Sequence, residues 1–208
     1  MIIRSATEKD IPAIVELLKL SLGESLMPKS EAFWRWKHID NPFGPSPVLL
    51  ALEGDLLIGV RAFMRWEWRQ GDKIYKAVRA VDTATHPQHQ GKGIFKKLTL
   101  QLVGHCRAEG VDFIFNTPNK SSKPGYLKMG WRSSGAMKLY IKPVLSAGTL
   151  ASDFDDHYSL GKHAIHFNDE FTHGDDSILK TAVTEKFLNW RYAANPNIRY
   201  YSFFDSAE

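Results

Sequence analysis

The chain has 208 residues, 43% hydrophobic and 24% charged, enough to bury a core in one domain with room for a fragment of another. Lys and Arg number 27 against 23 Asp and Glu, a net charge of +4 without blocks of like charge, so composition does not call for nucleic-acid binding. The single cysteine, Cys106, excludes an internal disulfide or a multi-cysteine metal site and fits a reducing compartment. The first ten residues carry charges where a secretory signal needs apolar ones, and the longest apolar runs are far too short to span a bilayer. The expectation is a cytoplasmic protein with no membrane partner.

Residues Ile2 to Arg4 read as a short strand, and Thr7 and Asp10 have capping-box spacing ahead of a helix. Ile11, Ile14, Val15 and Leu18 recur at helical spacing until Gly23. Phe33 to Lys37 predicts a second short helix, stopped by Asn41-Pro42-Phe43-Gly44-Pro45. Val48–Leu52 and Leu56–Met64 flank Glu53-Gly54-Asp55 as a hairpin, and Gln70-Gly71-Asp72 turns the chain into Lys73–Thr85, giving a three-stranded meander. From Gly93 to Glu109, Phe95, Leu98, Leu102 and Cys106 share one helix face, and Val111–Phe115 reads as a strand. This order predicts a mixed α/β sandwich with helices covering one sheet.

The core domain is expected to span residues 1–143, with Ser146 to Gly174 as linker or exposed loop. Glu31, Phe33, Trp36, Asn41 and Pro42 recur at Glu185, Phe187, Trp190, Asn195 and Pro196, all shifted by the 154 positions between Glu31 and Glu185. Lys37 is matched by Arg191, and a strand-like run, Tyr200 to Phe204, follows the second copy as Val48 to Leu52 follows the first. Residues 144–208 therefore read as an extension resembling the start of a second module, either cut short or packed on the first domain as a helix and an edge strand.

The chemistry concentrates between Val81 and Phe95, where a strand ends at Pro87 and Gln88-His89-Gln90-Gly91-Lys92-Gly93 opens a helix. Unpaired N–H groups and the dipole at such a helix start favour an anion, and glycines let a pyrophosphate approach the main chain. Lys92, Lys96 and Lys97 add positive charge, while the patterns of a Walker loop and a Rossmann turn are both missing.

Gln88-His89-Gln90-Gly91-Lys92-Gly93 resembles the pyrophosphate motif of the GNAT superfamily of acetyl-CoA-dependent N-acetyltransferases. Tyr126-Leu127-Lys128-Met129-Gly130-Trp131 resembles the same family's downstream signature, and element order follows the family from Ile2 to about Pro143. Phe95 departs from the small residue that many members carry there.

The resemblance implies a GNAT-type α/β (α+β) fold: a mixed, mostly antiparallel central sheet, helices on both faces, and strands splayed at an acetyl-CoA cleft. It implies that Thr83, Ala84 and Thr85 pair with the pantetheine arm, that amides from Gln90, Gly91, Lys92, Gly93 and Ile94 hold the pyrophosphate, and that Asn119 also contacts the co-substrate. Tyr126 would protonate the departing sulfur. For the base, Asp82 is preferred over Glu67 and His86, since a carboxylate in a central strand needs a paired or functional setting, and alternation puts it on the face of Ala80 and Ala84. The activity implied is direct acetyl transfer to a primary amine on a small molecule such as an amino sugar or amino acid derivative, without metal, and the reading leaves a homodimer open. Two alternatives stand beside it: a transferase using another acyl donor, and a non-catalytic CoA-binding or protein-interaction module.

Other residues read more plainly. Cys106 continues an apolar stripe and belongs to the core. His163 and His166 read as surface residues rather than ligands, and no histidine spacing suggests a metal. Trp36 reads as a scaffold anchor because Trp190 repeats it, and Trp66 and Trp68 at period two cover a sheet face. Arg61, Arg65, Arg69 and Arg79 are candidates for recognising an acidic acceptor, against a solvated reading.

Overall fold

A computed structural model describes residues 1–24, 27–135 and 176–200. The predicted domain limit at residue 143, the linker at 146–174, His163, His166 and most of the second strand-like run lie outside the described residues.

Strand β1 (Ile2–Ser5) leads to a single 3-10 turn at Glu8–Asp10 and helix α1 (Ile11–Leu22). The Thr7 backbone N–H and hydroxyl both donate to the Asp10 carboxylate at 2.8 Å, the interaction that the Thr-x-x-Asp spacing predicts. Gly23 closes α1 at φ 68°, and helix α2 (Glu31–His38) starts where the Ser30 hydroxyl accepts from the Phe33 N–H. Strands β2 (Val48–Glu53), β3 (Leu56–Gln70) and β4 (Lys73–Thr85) form the antiparallel meander. Helix α3 (Ile94–Ala108), strand β5 (Phe113–Phe115) and helix α4 (Lys123–Lys128) follow.

The sheet order is β1-β2-β3-β4-β5, antiparallel except for the parallel β4–β5 pair. That pair is confined to Ala77–Phe113, Val78–Ile114 and Arg79–Phe115, so among the described residues β4 runs on through residues 80–85 without a partner on that side. The two strands part there, and among the described residues nothing pairs with the β4 edge.

Helices cover both faces. Leu98, Leu102 and Cys106 of α3 and Tyr126 of α4 pack on Ile58, Phe63, Val78 and Ala80. Ile11, Ile14, Val15 and Leu18 of α1 pack on Val60, Ala62 and Ala84. Gly59 lets α3 approach β3 closely: a Cβ there would stand 2.6 Å from an Ile94 methyl carbon.

The second copy of the repeat lies against the first. A short strand β6 (Lys180–Thr181), not among the predicted elements, pairs with Trp68 and Arg69 of β3. Helix α5 (Glu185–Leu188) continues as a π-helical turn over Asn189–Ala193. Thr184 caps it as Ser30 caps α2, and Asn195 accepts from the Asn197 N–H as Asn41 does from that of Phe43. The two units meet about a local two-fold axis: the Trp36 indole donates to the Trp190 carbonyl and the Trp190 indole to the Trp36 carbonyl, both at 2.7 Å. Their rings stack with centroids 4.9 Å apart, inside a cluster that includes Met64 and Phe187.

Trp190→Ala removes one of these bonds, strands the carbonyl of a buried partner and empties a packed site, so unfolding in urea is expected to show a loss of about 3–5 kcal/mol. A loss below about 1 kcal/mol would mean that the repeat segment adds nothing to the stability of the domain.

Candidate active site

The β4–α3 junction is built around glycine. After Thr85, Pro87–His89 makes one 3-10 turn in which the His86 ring accepts from the Gln88 N–H. Gly91 and Gly93 both have φ 75°, a conformation that side chains rarely adopt, and a Cβ at either would meet nothing within 4 Å. Packing therefore does not demand glycine here; backbone conformation does, and it leaves an open hollow above the helix start. The N-cap residue is Gly93, and among the described residues no side chain caps α3, so its first N–H groups are left to face that hollow.

The hollow belongs to a cleft of about 470 Å³ that brings together Thr83, Ala84, Thr85, Gln90, Gly91, Gly93 and Ile94 with Ser21 and Leu22 of α1. The Ser21 hydroxyl donates to the Thr85 carbonyl, tying the end of α1 to the end of β4. Lys92 does not line this cleft; its ammonium lies 3.3 Å from His89 Nδ1. Asn119 does not line it either, because its side-chain oxygen accepts from both the backbone N–H and the hydroxyl of Ser122 at the start of α4.

Alternation fails at Asp82. Arg61 pairs with Thr83 and Ala62 with Val81, so Asp82 is the extra residue of a β-bulge, with φ 34°. As a result Ala80 faces α3 while Ala84 faces α1, and the expectation that Asp82 shares a face with both is corrected. The Asp82 carboxylate turns toward α2, 2.7 Å from Lys37 Nζ and 2.7 Å from His38 Nε2. Burial alone would raise its pKa, but Lys37 and His38 together hold it well below the usual carboxylate range. His38, fully buried, is itself pushed down by desolvation against the pull of Asp82, and its other nitrogen meets the Ser46 hydroxyl at 2.9 Å. Asp82 also borders a small cavity of about 50 Å³ with Leu18, Leu22, Phe33, Trp34 and Lys37, next to the larger cleft through Leu22.

Tyr126 is buried on α4, where its hydroxyl accepts from an Arg61 nitrogen at 2.6 Å and its ring meets Phe95 edge-on. A cleft of about 560 Å³ reaches it from the end of β5, past Asn116 and Thr117. Three of the four arginines considered for acceptor recognition are committed elsewhere: Arg61 is inaccessible, Arg65 pairs with Glu109 at 2.7 Å, and Arg69 donates to the Gly71 carbonyl. Arg79 donates to the Thr117 hydroxyl, and burial lowers its pKa with a contribution from nearby Arg191. Cys106 is buried, and burial pushes its thiol up to about 11. Sequence reasoning missed Lys37 and His38 as partners of Asp82; the only signal was their place next to Trp36 on a helix already predicted.

A family model described as an acetyltransferase (GNAT) domain matches residues 2–133. The chain belongs to the GNAT acetyltransferase family. Its fold is shared by a predicted acetyltransferase from Clostridium acetobutylicum, crystallised with acetyl-CoA, at 20% identity and TM-score 0.56, over 67% of this chain and 95% of that one. Glucosamine-6-phosphate N-acetyltransferase from Arabidopsis thaliana is similar at 19% identity and TM-score 0.50, over 68% and 98%. An aminoglycoside acetyltransferase from an uncultured soil metagenomic sample is similar at 18% identity and TM-score 0.51, over 69% and 97%. No curated protein matches the chain. Among the described residues no helix is long and apolar enough to cross a membrane, and no cluster of three or more His, Cys, Asp or Glu side chains could hold a metal ion.

The Asp82 contacts set a pH dependence. In the unfolded chain the group ionises near pH 4, in the fold only at lower pH, so its stabilisation is complete above about pH 5 and is lost as pH falls through the acid range. Asp82→Asn, which tolerates the positive φ, is expected to lower unfolding free energy by a constant amount from about pH 6 to 8, with the gap closing below about pH 4. Urea titrations across that range check this, and a gap unchanged at about pH 3 would mean that the ion pairs do not stabilise the fold.

Proposed function

We propose that this protein transfers an acetyl group from acetyl-CoA directly to a primary amine on a small molecule. The observation that carries the reading is the open hollow at the start of α3: two glycines in a left-handed conformation, uncapped helix N–H groups, and the free edge of β4 leading away from them. The hollow fits a pyrophosphate by shape and by dipole sign. In this reading amides from Gln90 to Ile94 hold the phosphates, Thr83, Ala84 and Thr85 offer strand hydrogen bonds to the pantetheine arm, and Asn119 acts by shaping the start of α4.

When bound, acetyl-CoA supplies a thioester whose C–S bond breaks as the new C–N bond forms. Tyr126 gives the proton that the departing sulfur needs. Asp82 is assigned the acceptor side by charge: its carboxylate, held ionised by Lys37 and His38, attracts an ammonium group to the wall made by Phe33, Trp34 and Lys37, and the proton shed during attack passes to solvent. Arg79 lies near both Arg191 and Asp82, which favours an acceptor carrying a carboxylate or phosphate besides its amine. Residues 1–143 carry the catalytic domain, and residues 144–208 form an extension whose repeat unit braces α2. The protein acts in the cytoplasm.

Calorimetric titration with acetyl-CoA is expected to give one site of micromolar affinity. Gly91→Glu, which puts bulk and negative charge in the hollow at a position of φ 75°, is expected to abolish it. Tyr126→Phe is expected to keep the affinity and slow release of free thiol at least tenfold with a panel of amino sugars, amino acids and their phosphates. Unchanged affinity in the first variant would remove the hollow from the site.

A further inference from the structure

Arg61 has no exposed surface, and no carboxylate lies within ion-pairing distance of it among the described residues. Its guanidinium lies 4.8 Å from the centroid of the Phe63 ring, 5.6 Å from that of Phe95 and 5.4 Å from that of Tyr126. One terminal nitrogen donates to the Tyr126 hydroxyl at 2.6 Å and the other to the Val81 carbonyl at 3.4 Å, while the buried Nε has no partner among the described residues. A guanidinium stays charged even where burial disfavours it, so this is a cation enclosed by rings with a donor unused. Such groups destabilise a fold, and replacing them with apolar side chains of similar volume is often neutral or stabilising. Packing therefore does not account for Arg61. The residue stands at the bulge, opposite Thr83, where β4 leaves β5.

Resting on the acetyltransferase reading above, we propose that Arg61 is a positioning residue for the leaving group. By donating to the Tyr126 oxygen it turns the hydroxyl proton outward, and its charge offsets the negative charge that gathers at the tyrosine oxygen and the departing sulfur. As the amine nitrogen bonds to the acetyl carbon, the C–S electron pair goes to sulfur and the Tyr126 proton follows it. The surplus proton on nitrogen leaves to solvent, and a solvent proton restores Tyr126. Phe95, the departure from the family pattern, completes the ring enclosure that keeps water from the guanidinium. Among the described residues the ionisable groups acting on Arg61 are Tyr126 from α4 and Asp82 from β4.

The test compares the intact protein with Arg61→Met, Arg61→Lys and Tyr126→Phe, using coenzyme A and its S-methyl thioether as probes. The wild type is expected to bind coenzyme A at least fivefold more tightly at pH 8.5 than at pH 6.5, relative to the thioether, because the site favours the thiolate. Arg61→Met is expected to melt at or above the wild-type temperature and bind the thioether normally, yet lose that pH dependence. Arg61→Lys is expected to keep part of it and Tyr126→Phe to lose most. A melting temperature well below wild type in Arg61→Met, or an unchanged pH dependence, overturns the proposal. Failure of the wild type to bind either probe overturns the acetyltransferase reading, and the Arg61 proposal with it.

Discussion

One extra residue in one strand organises the site. The bulge at Asp82 changes the phase of β4, so that Val78 and Ala80 before it face α3 while Ala84, which unbroken alternation would put on their face, faces α1. With unbroken alternation, the Asp82 carboxylate would not reach α2, and the last residues of β4 would present their side chains to the wrong helices. The cost is a non-glycine residue at φ 34°, which Asp bears better than most residues. Lys37 and His38 hold the strained residue in place.

Most elements were legible because each had a local cause. Ile11 to Leu18 carried a helical period, Gly54 and Gly71 marked the meander's turns, and Gly91 and Gly93 marked the turn into α3. The bulge was not legible: Val81-Asp82-Thr83 alternates in sequence like any strand, and only the pairing with Arg61 and Ala62 shows the slip. Arg61 was misread for the same kind of reason, since an arginine in a strand is ordinarily solvated and its ring enclosure is assembled from β3, α3 and α4. The pairing of β6 escaped notice because a strand formed by Lys180 and Thr181 alone has too few residues to show a period.

The repeat, two short units 154 positions apart, was visible as matching letters, and the structure gives it a physical meaning. Trp36 and Trp190 exchange hydrogen bonds because equivalent helices face one another across a local axis, so each indole finds the carbonyl of its own counterpart. Helix α2 is held from both sides, by β4 through Asp82 and by the repeat through Trp190. A segment remote in sequence thereby fixes the wall on which Phe33, Trp34 and Lys37 stand. Cα and ring positions on that wall depend on residues that make no contact with the glycine turn at all.

The place of Cys106 bears on handling and chemistry alike. It is the chain's one cysteine, its sulfur sits in the apolar seam between α3 and the sheet, and burial keeps it protonated. On the proposed reaction, which would liberate a small-molecule thiol, an exposed protein thiol would risk mixed disulfides with the product when oxidant is present. This chain offers no accessible thiolate for that exchange, so in an assay of the proposed reaction a chromogenic disulfide reagent would register the small-molecule thiol alone.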